Sequence, residues 1–146
     1  MNRILIIAAA LAIGVQAAAP QNSDVIKERK DTMKQAGGAV GPALKMMKGE
    51  TPFDLETARA SLRTIIAVAA KMPSLFPEDS RTGGETRALP AVWESKADVE
   101  ARYFKLGQDA TAALATVKDK DSFGPAFQAV LKNCGGCHEK YRTPDK

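Results

Sequence analysis

Histidine is almost missing from this sequence: there is one in 146 residues, at position 138. Cysteine is nearly as scarce, with two, and aromatic side chains make up only 5% of the chain. A lone histidine leaves no room for chemistry that needs one imidazole on a metal and a second as proton carrier. Charge of one sign is also in short supply. Lys and Arg number 21 against 17 Asp and Glu, a formal +4, and the basic residues form no single patch along the sequence. That balance gives no footing for nucleic-acid binding and reads as an ordinary solvated surface. No segment alternates apolar and polar residues as a strand does. The uncharged run Ile4–Ile13 is about half of the roughly 20 residues a membrane span needs.

That run follows Met1-Asn2-Arg3 and precedes the small residues of Val15-Gln16-Ala17. One positive charge, a short apolar stretch and then small residues is the grammar of a secretory signal peptide, with cleavage expected after Ala17. An uncleaved anchor is disfavoured by the length of the run. Residues 1–17 are therefore read as leader and residues 18–146 as one domain with one core. Removing Arg3 leaves 20 basic against 17 acidic residues, or +3. The expected location is the periplasm, without stable membrane insertion once the leader is cut.

Four segments show helical periodicity. The first spans about 24–48, with Ile26, Lys30, Met33, Gly37, Val40, Leu44 and Met47 three and four apart. Gly49-Glu50-Thr51-Pro52 ends it, and Asp54 suits the N-cap of a second helix reaching about Met72. Leu55, Ala58, Leu62, Ile65 and Ala69 are its inward side. From 73 to 88 prolines and glycines predict a loop. Pro90 fits the first turn of a third helix, striped by Val92, Lys96, Val99, Tyr103, Leu106, Ala110, Ala113 and Val117. Asp121 is expected to cap a fourth, whose early Pro125 is tolerable and whose one face carries Phe127, Val130, Leu131, Cys134, Cys137, His138 and Tyr141. Four amphipathic helices with mostly short links predict an all-α fold, an antiparallel up-down-up-down four-helix bundle.

Both cysteines and the histidine fall in Cys134-Gly135-Gly136-Cys137-His138. Cys-x-x-Cys-His is the attachment signature of c-type haem. Thiols three apart lie on one side of a helix, so both can add to vinyl groups at one edge of a porphyrin. The adjacent histidine then projects toward the iron. A structural zinc site needs four protein ligands, and only three such residues stand here. A thioredoxin-like pair belongs at the start of a helix after a strand, whereas this pair is near the end of the last helix. A disulfide would be ordinary in an exported chain but leaves His138 unexplained.

A haem motif at the end of a four-helix chain resembles the class II cytochromes c, which include cytochrome c′ and the low-spin cytochrome c-556 type. The matching residues are Arg29 and Met33 in the first helix, Lys48-Gly49-Glu50 at its end, Leu75-Phe76-Pro77, the stretch from Thr86 to Trp93, and Cys134 to Arg142. The resemblance covers essentially the whole mature chain. It implies one covalent haem c, with Cys134 and Cys137 as thioethers, held between helices. In cytochrome c′ the residue opposite the histidine is usually apolar, and the iron is five-coordinate and open to small gases. In the c-556 type it is methionine, which closes the sixth site. Here it is Met33.

Methionine on an inward stripe is ordinarily core filler. With the haem motif and the register to Arg29, Met33 is read instead as the second axial ligand beside His138. Met46 and Met47 lie about 20 Å farther along the helix at about 1.5 Å per residue, and Met72 closes the second helix. Arg29, one turn before Met33, is placed to contact a haem propionate. Arg142, one turn past His138, is expected near the histidine side of the haem, and Trp93 and Tyr141 as packing aromatics. Gly37, Gly38, Gly41 and Pro42 are expected to interrupt the helix just after Met33, with Pro42 kinking or staggering it. The expected function is a single-electron carrier between redox proteins, as monomer or homodimer. The alternative is a five-coordinate protein that binds nitric oxide or carbon monoxide.

Overall fold

The fold is seen in a computed structural model, which describes residues 22–144. The expected leader lies outside the described residues. Among those described, no helix is long and apolar enough to cross a membrane. Helix α1 runs Ser23–Lys48, α2 Leu55–Lys71, a one-turn α3 Ala91–Glu94, α4 Lys96–Thr116 and α5 Lys120–Tyr141.

Local chemistry sets the ends. Asn22 begins α1 by accepting the Val25 N–H at 3.1 Å. Gly49 ends it in the left-handed region, φ 74°, returning its own N–H to the last turn while Glu50 N–H reaches Lys45 O at 2.9 Å. Asp54 caps α2 through the Thr57 N–H at 2.7 Å, as its position in the sequence predicts. The fourth long helix starts differently from expectation. Asp119, not Asp121, is its cap, because Asp119 and Ser122 satisfy each other's backbone N–H reciprocally. The third expected helix is two pieces: Ser95 leaves helical geometry at φ −126°, separating α3 from α4.

Helices α1 with α2, α2 with α4, and α4 with α5 pack along their lengths, whereas α1 and α5 touch at few points. The result is the four-helix bundle, with α3 folded onto one end. Two apolar clusters fill it. One joins Met46, Leu62, Ile65, Phe123, Phe127 and Val130. The other gathers Val68, Met72, Phe76, Trp93, Tyr103 and Tyr141. Each fully buried large side chain contributes about 1.5–3 kcal/mol.

The buried residues of α1 are Ile26, Arg29, Thr32, Ala43 and Met46, a stripe displaced by one position from the apolar one expected after Ile26. Lys30, Met33 and Val40 are only half-buried. The helix thus shows two inward sides, one against α2 and the loop, the other toward α5. The 73–88 segment is entered through one 3-10 turn, Met72–Leu75, and contains a second, Glu78–Ser80. It presses on α1 so closely that a Cβ at Gly84 (φ +52°) would come within 2.8 Å of Ile26 Cγ2. Its far end pairs with the end of α5: Leu89 N–H to Tyr141 O at 3.0 Å and Thr143 N–H to Arg87 O at 2.9 Å.

Candidate functional site

Cys134, Cys137 and His138 lie in the last two turns of α5, all half-buried, and both thiols are free. Burial pushes both thiols up. At Cys137 the Arg102 guanidinium pulls partly the other way. This is the reverse of the electropositive helix start that activates a redox-exchange thiol.

Two adjoining cavities of about 280 and 320 Å³ open beside the motif. Met33, Tyr103, Cys137, His138 and Arg142 line both. The first is walled by Val40, Ile65, Val68, Leu106 and Leu131, with Cys134 at its edge. The second has Met72, Phe76, Val92 and Val99 behind a rim that includes Arg29, Lys30 and Lys34. Together they form an apolar slot between α1 and α5, the two long helices that barely touch. Met33 enters from α1 and His138 from α5. Met72 lines only the second cavity and Met46 is buried against α2, its sulfur accepting the Asp54 N–H at 3.3 Å. Among the described residues Met33 is the one methionine that lines both.

Arg29, 5% exposed, reaches the second cavity deeply buried. Its guanidinium donates to Leu75 O at 2.8 Å, Ser80 Oγ at 3.0 Å, Ser80 O at 3.1 Å and Thr86 Oγ1 at 2.7 Å. It also lies over the rings of Phe76 and Trp93, at 4.9 and 5.6 Å. Trp93 Nε1–H meets Pro77 O at 3.0 Å. Every one of these acceptors is neutral, so burial lowers the Arg29 pKa. Arg29 therefore pins the loop to α1 and brings positive charge to the slot wall. Arg142 closes α5, its N–H on His138 O at 3.1 Å, and borders both cavities on the histidine side.

The residues fit a c-type haem. The walls are apolar, the two thiols stand three residues apart on one helix, and Arg29 and Arg142 bring positive charge to the slot's lining. Gly37 lines the slot, and a Cβ built there meets nothing within 4 Å.

A second group around the motif has no counterpart in the sequence reading. Asp98 on α4 accepts Arg102 Nε–H at 2.9 Å, Lys140 at 3.2 Å, and the Tyr141 hydroxyl. Arg102 Nη1 also donates to Gly136 O, inside the attachment turn, at 3.2 Å. The four-residue spacing of Asp98 and Arg102 is the signal that the sequence held for it.

Comparison with known proteins gives the same picture. A family model described as cytochrome C′ matches residues 24–142. Cytochrome c′ of Rhodopseudomonas palustris is 44% identical over 141 residues, 97% of this chain and 96% of that protein. Cytochrome c-556 of Agrobacterium tumefaciens strain B2A is 39% identical over 118 residues, 80% of this chain and 95% of that protein. The solved structure of R. palustris cytochrome c′ superposes with TM-score 0.82, covering 84% of this chain and 98% of that one, at 44% identity. The structure of oxidised R. palustris cytochrome c556 gives 0.77, with the same coverage, at 25% identity. With its apolar slot, its Cys-x-x-Cys-His turn and this span of matches, the chain belongs to the cytochrome c′ family and is a monohaem cytochrome, with covalently bound haem c as its cofactor.

Proposed function

We propose that the protein is an exported, periplasmic one-electron carrier with haem attached through Cys134 and Cys137 and ligated by His138 and Met33. The observation that carries this reading is the pairing across the slot: His138 on α5 and Met33 on α1 line the same two cavities. Bound haem iron supplies the one-electron couple. The protein's part is to hold it. Two thioethers and the His138 imidazole would hold it from α5 and the Met33 thioether from α1, a combination that would raise the reduction potential. The apolar walls exclude water, and Arg29 places positive charge toward a propionate. With His138 committed as ligand, no other histidine exists to serve as acid–base catalyst. The partners are therefore redox proteins that give and take single electrons.

A second reading, five-coordinate iron that binds nitric oxide or carbon monoxide, is favoured by one observation. Cytochrome c′ of R. palustris is 44% identical to this chain, against 39% for the A. tumefaciens cytochrome c-556. The glycines after Met33 also leave its helix intrinsically pliant. Absorption spectra of both oxidation states, with and without carbon monoxide, separate the readings. A Met33-ligated protein is low-spin and reacts slowly, while Met33→Leu is high-spin and reacts fast. A wild type already high-spin and as reactive as the variant excludes Met33 as ligand and selects gas binding.

A further inference from the structure

Helices α2 and α4 form the side of the bundle opposite the α1–α5 slot, and that face carries little charge. Phe104 projects from it at 68% exposed, the one large apolar side chain so exposed among the described residues. Beside its ring runs a groove of small and apolar residues, among them Ile66, Ala70, Gly107 and Ala112, with Glu100 as its one charged member. Arg59 Nη2 donates to Val117 O at 3.4 Å, and a Cβ at Gly107 would lie 3.6 Å from that of Ala69. The two helices therefore run antiparallel, with Gly107 level with Ala69. At about 1.5 Å per residue, Glu100 stands about 10 Å from that level toward one end. Arg63, one turn before Ile66 on the same side of α2, stands about 9 Å toward the other. Both are exposed, and neither has a hydrogen-bond or ion-pair partner among the described residues.

We propose that this face receives a second copy of the same chain, in a reversible homodimer whose two-fold axis crosses the helices at the Gly107–Ala69 level. That rotation lays α2 over α2 and α4 over α4 with their directions inverted. Each Glu100 then comes to the level of the partner's Arg63, and each Phe104 ring to the level of the partner's small residues just past Gly107. A two-fold contact needs a patch that complements itself. A protruding ring beside a groove, with one anion and one cation at matching distances from the centre, is such a patch. From Glu100 to Ala115 the face is about 22 Å long, and two helices are about 20 Å wide, so the contact would bury roughly 900 Å² in total, the size of a weak interface. Both slots would face outward from it. The inference does not depend on which group closes the sixth iron site.

The test is sedimentation equilibrium of the purified holoprotein over a concentration series, as wild type, Phe104→Ser, Arg63→Glu, Glu100→Arg and the double charge exchange. The wild type should pass from monomer to dimer mass as concentration rises. Phe104→Ser removes one apolar anchor from each copy and should raise the dissociation constant at least about tenfold. Each single charge reversal sets like charges together at both ends of the contact and should raise it about threefold to tenfold. The double exchange should return it close to the wild-type value. All three side chains are exposed, so the haem absorption spectrum and the helical circular dichroism should match the wild type in every variant. A wild type that stays monomeric at every concentration overturns the proposal. So does a dimer that Phe104→Ser leaves unweakened, or one whose charge reversals do not recover on exchange.

Discussion

Arg102 on α4 holds Gly136 by its carbonyl oxygen, 3.2 Å from Nη1, while its Nε–H binds Asp98 at 2.9 Å. One side chain thus ties the middle of the attachment turn to a neighbouring helix. Asp98 is held well below the usual carboxylate range, first by the Tyr141 hydroxyl, then by Arg102 and Lys140. A depressed folded pKa gives stability that is present above the unfolded value, about 3.9, and lost as pH falls below it. Wild type and Asp98→Asn should therefore differ in denaturant midpoint near neutral pH, and the gap should begin to close below about pH 4 and go on narrowing as pH falls toward the depressed folded pKa. A gap that persists unchanged into that acid range would show that Asp98 acts otherwise.

Covalent attachment predicts that haem stays with the polypeptide through acid–acetone extraction. Cys134→Ala and Cys137→Ala should each weaken that retention, and the double variant should abolish it. Intact mass spectrometry of exported protein should give the chain from Ala18 plus one haem. Haem freely extracted from wild type, or a mature protein still beginning at Met1, contradicts the corresponding half of this expectation.

Arg29→Ala should unpin the 73–88 loop. It removes four hydrogen bonds and leaves the buried Leu75 and Ser80 acceptors without their donor. A loss of about 3 kcal/mol is expected in equilibrium unfolding. Arg29→Lys should recover little of it, since an ammonium cannot span acceptors set for a planar fork. Recovery of most of the stability by lysine would mean that charge, not geometry, is what matters.

Gly38 and Gly37 are adjacent in α1 but face different surroundings. A Cβ meets nothing within 4 Å at either position, yet only Gly37 lines the slot. Gly38→Ala should stabilise the protein by about 0.5–1 kcal/mol without altering its spectrum. Gly37→Ala should gain similar helix propensity but place a methyl in the cavity and perturb the haem spectrum. Identical spectra for the two variants would mean that the haem does not approach Gly37.

The bundle was legible because three-and-four spacing survives in all the long helices, and the chemistry because Cys134, Cys137 and His138 are contiguous. What escaped has physical reasons. Arg29 is polar by any scale, so a search for an apolar stripe passes over it and selects Lys30, which is only half-buried. Asp121 resembles a cap as well as Asp119 does, and the reciprocal bond from Ser122 decides between them. The break at Ser95 has no proline or glycine at that position to announce it. In the Asp98 cluster the four-residue spacing to Arg102 is readable, but Lys140 and Tyr141 come from another helix, which periodicity alone does not pair with it.

The close packing of α1 with α2, of α2 with α4 and of α4 with α5 has a kinetic consequence. Each joins long helices that are successive in the chain, so most of the bundle can assemble from local hairpins, the topology that folds fastest. The Met33–His138 slot alone joins the first long helix to the last. It carries the largest loop-closure entropy and gains few protein contacts in return. Met33 and His138, which face each other across that slot, are thus expected to be the last to meet.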